Sequence, residues 1–165
     1  MTTNLLQFKD VVDEEIQAYE AMEELYKIKQ AFLVQGKSDM LWEVDAKIVS
    51  RMENLKTLNV KRREIAKYLG NEDLTMSEII EKAKYSNDGI AEKLQMQKTK
   101  LNILAKSIKL CETTNMELIK HGLVIVGKTL NIIIKAILPS TNEYNQFGKN
   151  VENDKMQISS IIEEA

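Results

Sequence analysis

Apolar residues recur along the first part of the chain at helical spacing. Leu5, Phe8, Val12, Ile16, Tyr19, Met22, Tyr26 and Leu33 follow one another by three, four or seven positions, which puts them on one face of a helix over 4–34. Glu23 and Lys27 add an i, i+4 ion pair in the favoured order. The polar run QGKSD at 35–39 breaks the pattern. Gly36 can close the first helix there, and Ser38 or Asp39 can cap the next. A second stripe, Leu41, Val44, Ile48, Met52, Leu55, Leu58, Ile65 and Leu69, predicts a helix over about 40–69, with Arg62 interrupting its seam. Two helices of this length joined by a short loop predict an antiparallel hairpin, with Leu55 and Leu58 buried against the first helix.

Gly70 then stops the helix, and Thr75 with Glu78 forms the T-x-x-E pattern of a capping box, opening a short helix through Glu81 and Lys82. Asn87-Asp88-Gly89 reads as a turn. From Ile90 to Leu138 nothing breaks the helical pattern, which predicts an element about 70 Å long at 1.5 Å per residue. Its first half is amphipathic, through Leu94, Leu101, Leu104, Ile108 and Cys111. Its second half, LVIVGKTLNIIIKAIL, is apolar nearly all round, and Gly122 and Gly127 are places for a bend or for close packing. Pro139 ends it. The remainder is polar, with Ile158, Ile161 and Ile162 at helical spacing behind a cap at Asn153 or Asp154. The expected architecture is all-α: a long antiparallel hairpin, a short helix and a long C-terminal helix. Residues 1–138 form the bundle, and 139–165 form a linker with a short amphipathic segment.

Composition narrows the function. Of 165 residues 44% are hydrophobic but only 5% aromatic, so the core is aliphatic and one domain is the natural size. A net charge of −2 gives no overall pull toward nucleic acid or an anionic membrane. The densest basic cluster, Lys61-Arg62-Arg63, reads as a solvated helix face, and Glu14 and Glu15 as part of an acidic one. The first residues, MTTNLLQFKDVVDEE, lack a basic leader, from which a cytoplasmic protein without a signal peptide is expected. The apolar stretch 123–138 is shorter than the roughly 20 residues of a membrane span and contains Lys128 and Lys135, so protein rather than lipid should cover it.

Catalytic chemistry is missing. The single cysteine, Cys111, excludes an internal disulfide and reads as a small helix hydrophobe. The single histidine, His121, stands about 15 Å further along the same helix, too far to activate that thiol. Glu117 and His121 share a helix face, but a metal site needs three or four converging ligands. Neither a P-loop nor a Gly-rich dinucleotide turn occurs. The expectation is a non-enzyme without cofactor or metal.

What needs an explanation is the apolar excess after Gly122. A helix in a small bundle buries one stripe, not its whole circumference. Either the bundle or a second copy wraps this segment, or the face is kept for a partner's amphipathic helix. Eight methionines favour an adaptable surface, since Met repacks easily.

The stretch CETTNMELIKHGLVIVGKTLNIIIKAIL, a polar gap and then EYNQFGK resemble the FlgN-like family, the flagellar export chaperones for the hook-filament junction proteins. The matching elements are Asn115 with Leu118 and Ile119, and Tyr144-Asn145-Gln146-Phe147-Gly148, where Asn145 stands in place of the family's more frequent Asp. The helical hairpin with its VQGKSDML loop and the Leu69-Gly70 turn also fit, so the resemblance covers most of the chain. It implies a cytoplasmic, non-enzymatic chaperone that binds the helical termini of hook-associated junction proteins, prevents their premature assembly and presents them to the type III export machinery. By the same resemblance the client-binding candidates are Asn115, Leu118, Ile119, Leu123, Val126, Leu130, Ile133, Ile134 and Ile137, and Tyr144 is a candidate contact for the export gate. The alternative is a structural or assembly coiled-coil protein that homodimerises through its apolar C-terminal helix. Neither reading involves nucleic acid or membrane insertion.

Overall fold

The computed structural model describes residues 2–85 and 89–137. Helix α1 spans Thr2–Gln35, α2 Leu41–Leu69, α3 Met76–Ala83 and α4 Ile90–Ile137, and a 3-10 turn over Ser38–Met40 precedes α2. Among the described residues all regular structure is helical, as the helical spacing and scarcity of breakers require. The chain divides into two compact units, Met1–Gly122 and Leu123–Ala165, so the division falls inside α4. Pro139, the expected domain boundary there and the segment after it lie outside the described residues.

In the first unit α1 and α2 form the expected antiparallel hairpin. Near its loop Lys29 reaches Asp45 at 2.7 Å. Further along, Glu14 meets Lys61 at 3.2 Å and Glu15 meets Arg62 at 2.9 Å. Gly36, at φ +67°, ends α1 in the left-handed conformation, and the Lys37 N–H closes back on the Phe32 carbonyl at 2.9 Å. The expected cap from Ser38 or Asp39 is not made: Met40 holds the N-cap position of α2 without a side-chain hydrogen bond. The 3-10 turn feeds the chain directly into α2 and leaves no extended residue there, which is the conformation a capping side chain needs.

Gly70 terminates α2 at φ +145°. A Cβ there would stand 2.5 Å from the Lys82 ammonium, which donates to the Leu69 carbonyl at 2.6 Å. That bond ties the end of α2 to α3. The start of α3 is the capping box read in the sequence. The Glu78 N–H donates to Thr75 Oγ1 at 3.3 Å, and the Thr75 N–H donates to Glu78 Oε2 at 2.7 Å.

The core of this unit gathers Leu5, Phe8, Val12 and Ile16 of α1, Ala66 and Leu69 of α2, Ile79, Ile80 and Ala83 of α3, and Ile90, Leu94 and Leu104 of α4. Val11, Glu15 and Ala18 are buried as well, beyond the single stripe expected of α1. The reason is that α1 is flanked by α2 on one side and α4 on another, so its covered arc is wider than a hairpin alone would make it. On α2 the reverse holds: Leu58 is buried, Leu55 only half-buried and Met52 exposed.

Candidate interaction surface

Polar contacts set how α4 lies on α1 within the first unit. The Gln97 amide donates to the Lys9 carbonyl at 3.0 Å and to the Asp13 carboxylate. Lys100 pairs with Glu20 at 2.6 Å, Ser107 donates to Glu23, and the Asn115 amide donates to the Tyr26 carbonyl at 3.0 Å. Partners rise together along both helices, so α4 runs parallel to α1. Burial alone would push the Asp13 carboxyl up, but hydrogen bonds from Lys9 and Gln97 bring it below its ordinary value. Glu23 is lowered by its bonds to Ser107 and Lys27.

Glu15 corrects the reading of a solvated acidic face. It is 4% exposed, and burial drives its carboxyl above the ordinary range even though Arg62 pulls the other way. The arginine that interrupts the α2 seam is therefore its counter-charge. Lys61 and Arg63 beside it stay exposed, as expected of a solvated face, and pair at the surface with Glu14 at 3.2 Å and Asp73 at 2.7 Å. Such a cluster offers little to a phosphate backbone.

Asn115, a client-binding candidate by the resemblance, is 2% exposed, so it is not a surface contact. Its position is internal because its amide holds the α1 backbone. Leu118 and Ile119 on the next turn are half-buried. Cys111 is also half-buried and His121 is exposed. No group of three or more His, Cys, Asp or Glu that could hold a metal occurs among the described residues.

The second unit begins with the apolar turns of α4. Leu123, Val126, Leu130, Ile133 and Ile137 succeed one another by three, four, three and four positions, and all five are exposed. Ile134 beside them is half-buried, while Val124, Ile125 and Ile132 expose further apolar area on the same turns. The spacing is that of a coiled-coil seam. Among the described residues a Cβ at Gly122 would have nothing within 4 Å, so none of them packs closely there. No helix is long and apolar enough to cross a membrane among the described residues. Tyr144 lies outside them.

Sequence reasoning missed Glu15 and Gln97. Arg62 in an apolar seam was the available signal for the first. For the second, Gln97 shares the stripe of Leu94, Leu101 and Leu104, one position where a polar residue stands in the apolar face.

Compared with known proteins, residues 1–152 match a family model described as FlgN protein. No curated protein and no solved structure matches.

Proposed function

The chain belongs to the FlgN family, a family of flagellar export chaperones rather than enzymes, and from that premise we propose that it is the cytoplasmic chaperone of hook-associated junction proteins. It binds their helical termini, keeps them from assembling early and delivers them to the export apparatus. The observation that carries this reading is the exposed seam Leu123, Val126, Leu130, Ile133 and Ile137 in the second unit.

Exposed apolar residues in such continuity mark an interaction site on a stable protein, and an amphipathic helix is the occupant that a seam of this spacing accepts. The client gains by covering its own assembly-prone face against these side chains. A specific interface of this kind buries on the order of 800 Å² per partner. Ile134 completes the surface from its flank. In the first unit, Leu118 and Ile119 are proposed as separate contacts. Asn115 acts from inside the bundle, by holding α4 on α1 through the Tyr26 carbonyl. Tyr144 is proposed as the contact to the export gate.

Calorimetric titration of the purified chain with a purified hook-associated junction protein tests the reading. A stoichiometric complex is expected. Leu130→Asp and Ile133→Asp place a charge in the interface and should each weaken it at least tenfold, about 1.4 kcal/mol, with unchanged helical circular dichroism. The same seam also fits a homodimer. A chain that sediments as a tight dimer and ignores the client would replace the first reading with that one.

A further inference from the structure

The first unit carries another apolar line that its core does not use. Met96, Ile103 and Leu110 follow at seven-residue intervals on α4 and are 73%, 63% and 69% exposed. Between Glu92 and Glu112 the helix has five lysines and no carboxylate. Lys93 stands three positions before Met96, and Lys100 and Lys106 stand three before and three after Ile103, the spacing of surface neighbours on a helix. Lys98 donates to Ser77, Lys100 pairs with Glu20 and Lys109 with Glu112. Among the described residues, Lys93 and Lys106 have no ion-pair partner. Beside this line runs an open groove of about 730 Å³, lined by Asp13 and Ile16 of α1 with Lys93, Met96, Lys100 and Ile103 of α4, and the Asp13 carboxylate is already taken by Lys9 and Gln97.

We infer that this face docks an acidic amphipathic helix of a partner protein. The inference rests on the first unit alone and stands whether or not the second unit holds an export client. A line repeating every seven residues is a seam for a second helix, and the charges flanking such a seam select the partner. Here those charges are lysines, so the matching helix carries glutamate or aspartate beside its apolar stripe. A second copy of this chain is a poor occupant, because the same face would set lysine against lysine. A membrane surface takes a broad apolar face, whereas this line is one residue wide with Thr99 and Asn102 next to it. Nucleic acid has no use for the exposed aliphatic side chains.

The test is fluorescence anisotropy with the full chain and a labelled synthetic helix of about four heptads, with leucine at the seam and glutamate on both flanks. A lysine-flanked copy serves as the control. The glutamate helix should bind and the lysine helix should not. Ile103→Ser and the pair Lys93→Glu/Lys106→Glu should each weaken binding at least tenfold, and should do so equally in a chain whose second-unit seam carries Ile133→Ser. Because all of these positions are exposed, circular dichroism should match the parent. Several results overturn the inference: both first-unit changes without effect, loss of binding in Ile133→Ser, a dimer in solution that Ile103→Ser dissociates, or phosphatidylglycerol vesicles that bind the parent and not the Lys93→Glu/Lys106→Glu pair.

Discussion

Gln97 and Asn115 stand eighteen residues apart on α4, five full turns, and each donates its side-chain amide to a backbone carbonyl of α1, at Lys9 and at Tyr26. Both are buried, and the side-chain oxygen of each has no partner among the described residues. The two amides therefore act as pegs at matched positions, fixing the register of the parallel helix pair. A slip of one residue would bury both amides without partners, a cost of about 1–3 kcal/mol for each.

The pegs work as donors, which makes a charge test direct. Asn115→Ala should lower unfolding free energy by about 1 kcal/mol through one lost hydrogen bond. Asn115→Asp should cost more, because a buried carboxylate would face the Tyr26 carbonyl with no donor between them. Urea denaturation at neutral pH reads the difference. Equal stability of the two variants would remove the donor role.

Arg62→Met leaves the buried Glu15 carboxylate without its counter-charge. A loss of about 3 kcal/mol is expected near neutral pH, the lower end for a broken buried pair, since Arg62 keeps some contact with solvent. Glu15 already sits above its ordinary pKa. A raised carboxyl favours folding below the ordinary value and loses that contribution as pH rises through the folded one. Without Arg62 the rise is larger, so the deficit of Arg62→Met against the parent should shrink as pH falls toward 4.5, the ordinary value. A deficit that grows on acidification would contradict this assignment.

The capping box titrates in the opposite direction. The Glu78 carboxyl lies below its ordinary value because it accepts from the Thr75 N–H and then from the Thr75 hydroxyl. Its contribution is present above the ordinary glutamate range and disappears as pH falls through the depressed value. Glu78→Gln keeps the hydrogen-bonding shape without the charge. The stability gap between parent and variant should close on acidification, as followed by thermal melts at several pH values. Thr75→Ala, which removes the cap acceptor, should cost about 1 kcal/mol.

Leucine truncations should follow the observed burial and not the sequence stripe. Leu94 is fully covered, and Leu94→Ala should cost about 2–5 kcal/mol. Leu58→Ala belongs to the same class. Leu55→Ala should cost less than either, because Leu55 retains solvent contact. If Leu55→Ala proved the most damaging of the three in chemical denaturation, the packing described for α2 would be wrong.

What the sequence made legible was local. Helix extents came out within a few residues, Gly36 and Gly70 stopped helices, and Thr75 with Glu78 opened one, because each signal is contained in a short window. The wide covered arc of α1 was not legible, since it depends on α4 arriving from some eighty residues away in parallel orientation. Glu15, Gln97 and Asn115 belong to the same class: polar residues on helices are ordinarily solvated, and only the tertiary partner turns them inward. For the interaction surface, hydrophobic periodicity marked the apolar turns beyond Gly122, and the exposure of Leu130 and Ile133 together came from the structure.

Gly122 carries a consequence for hydrogen exchange. It lies mid-helix where a methyl group would meet none of the described residues, so among them no packing offsets the roughly 1 kcal/mol by which glycine disfavours a helix relative to alanine. It also marks the end of the first unit. Opening of α4 from its C-terminal side then meets little resistance through the exposed turns of 123–137, and meets steep resistance once it reaches the residues held by Asn115. Amide protection along this one helix should step upward on the N-terminal side of Gly122, giving a single continuous helix two opening free energies.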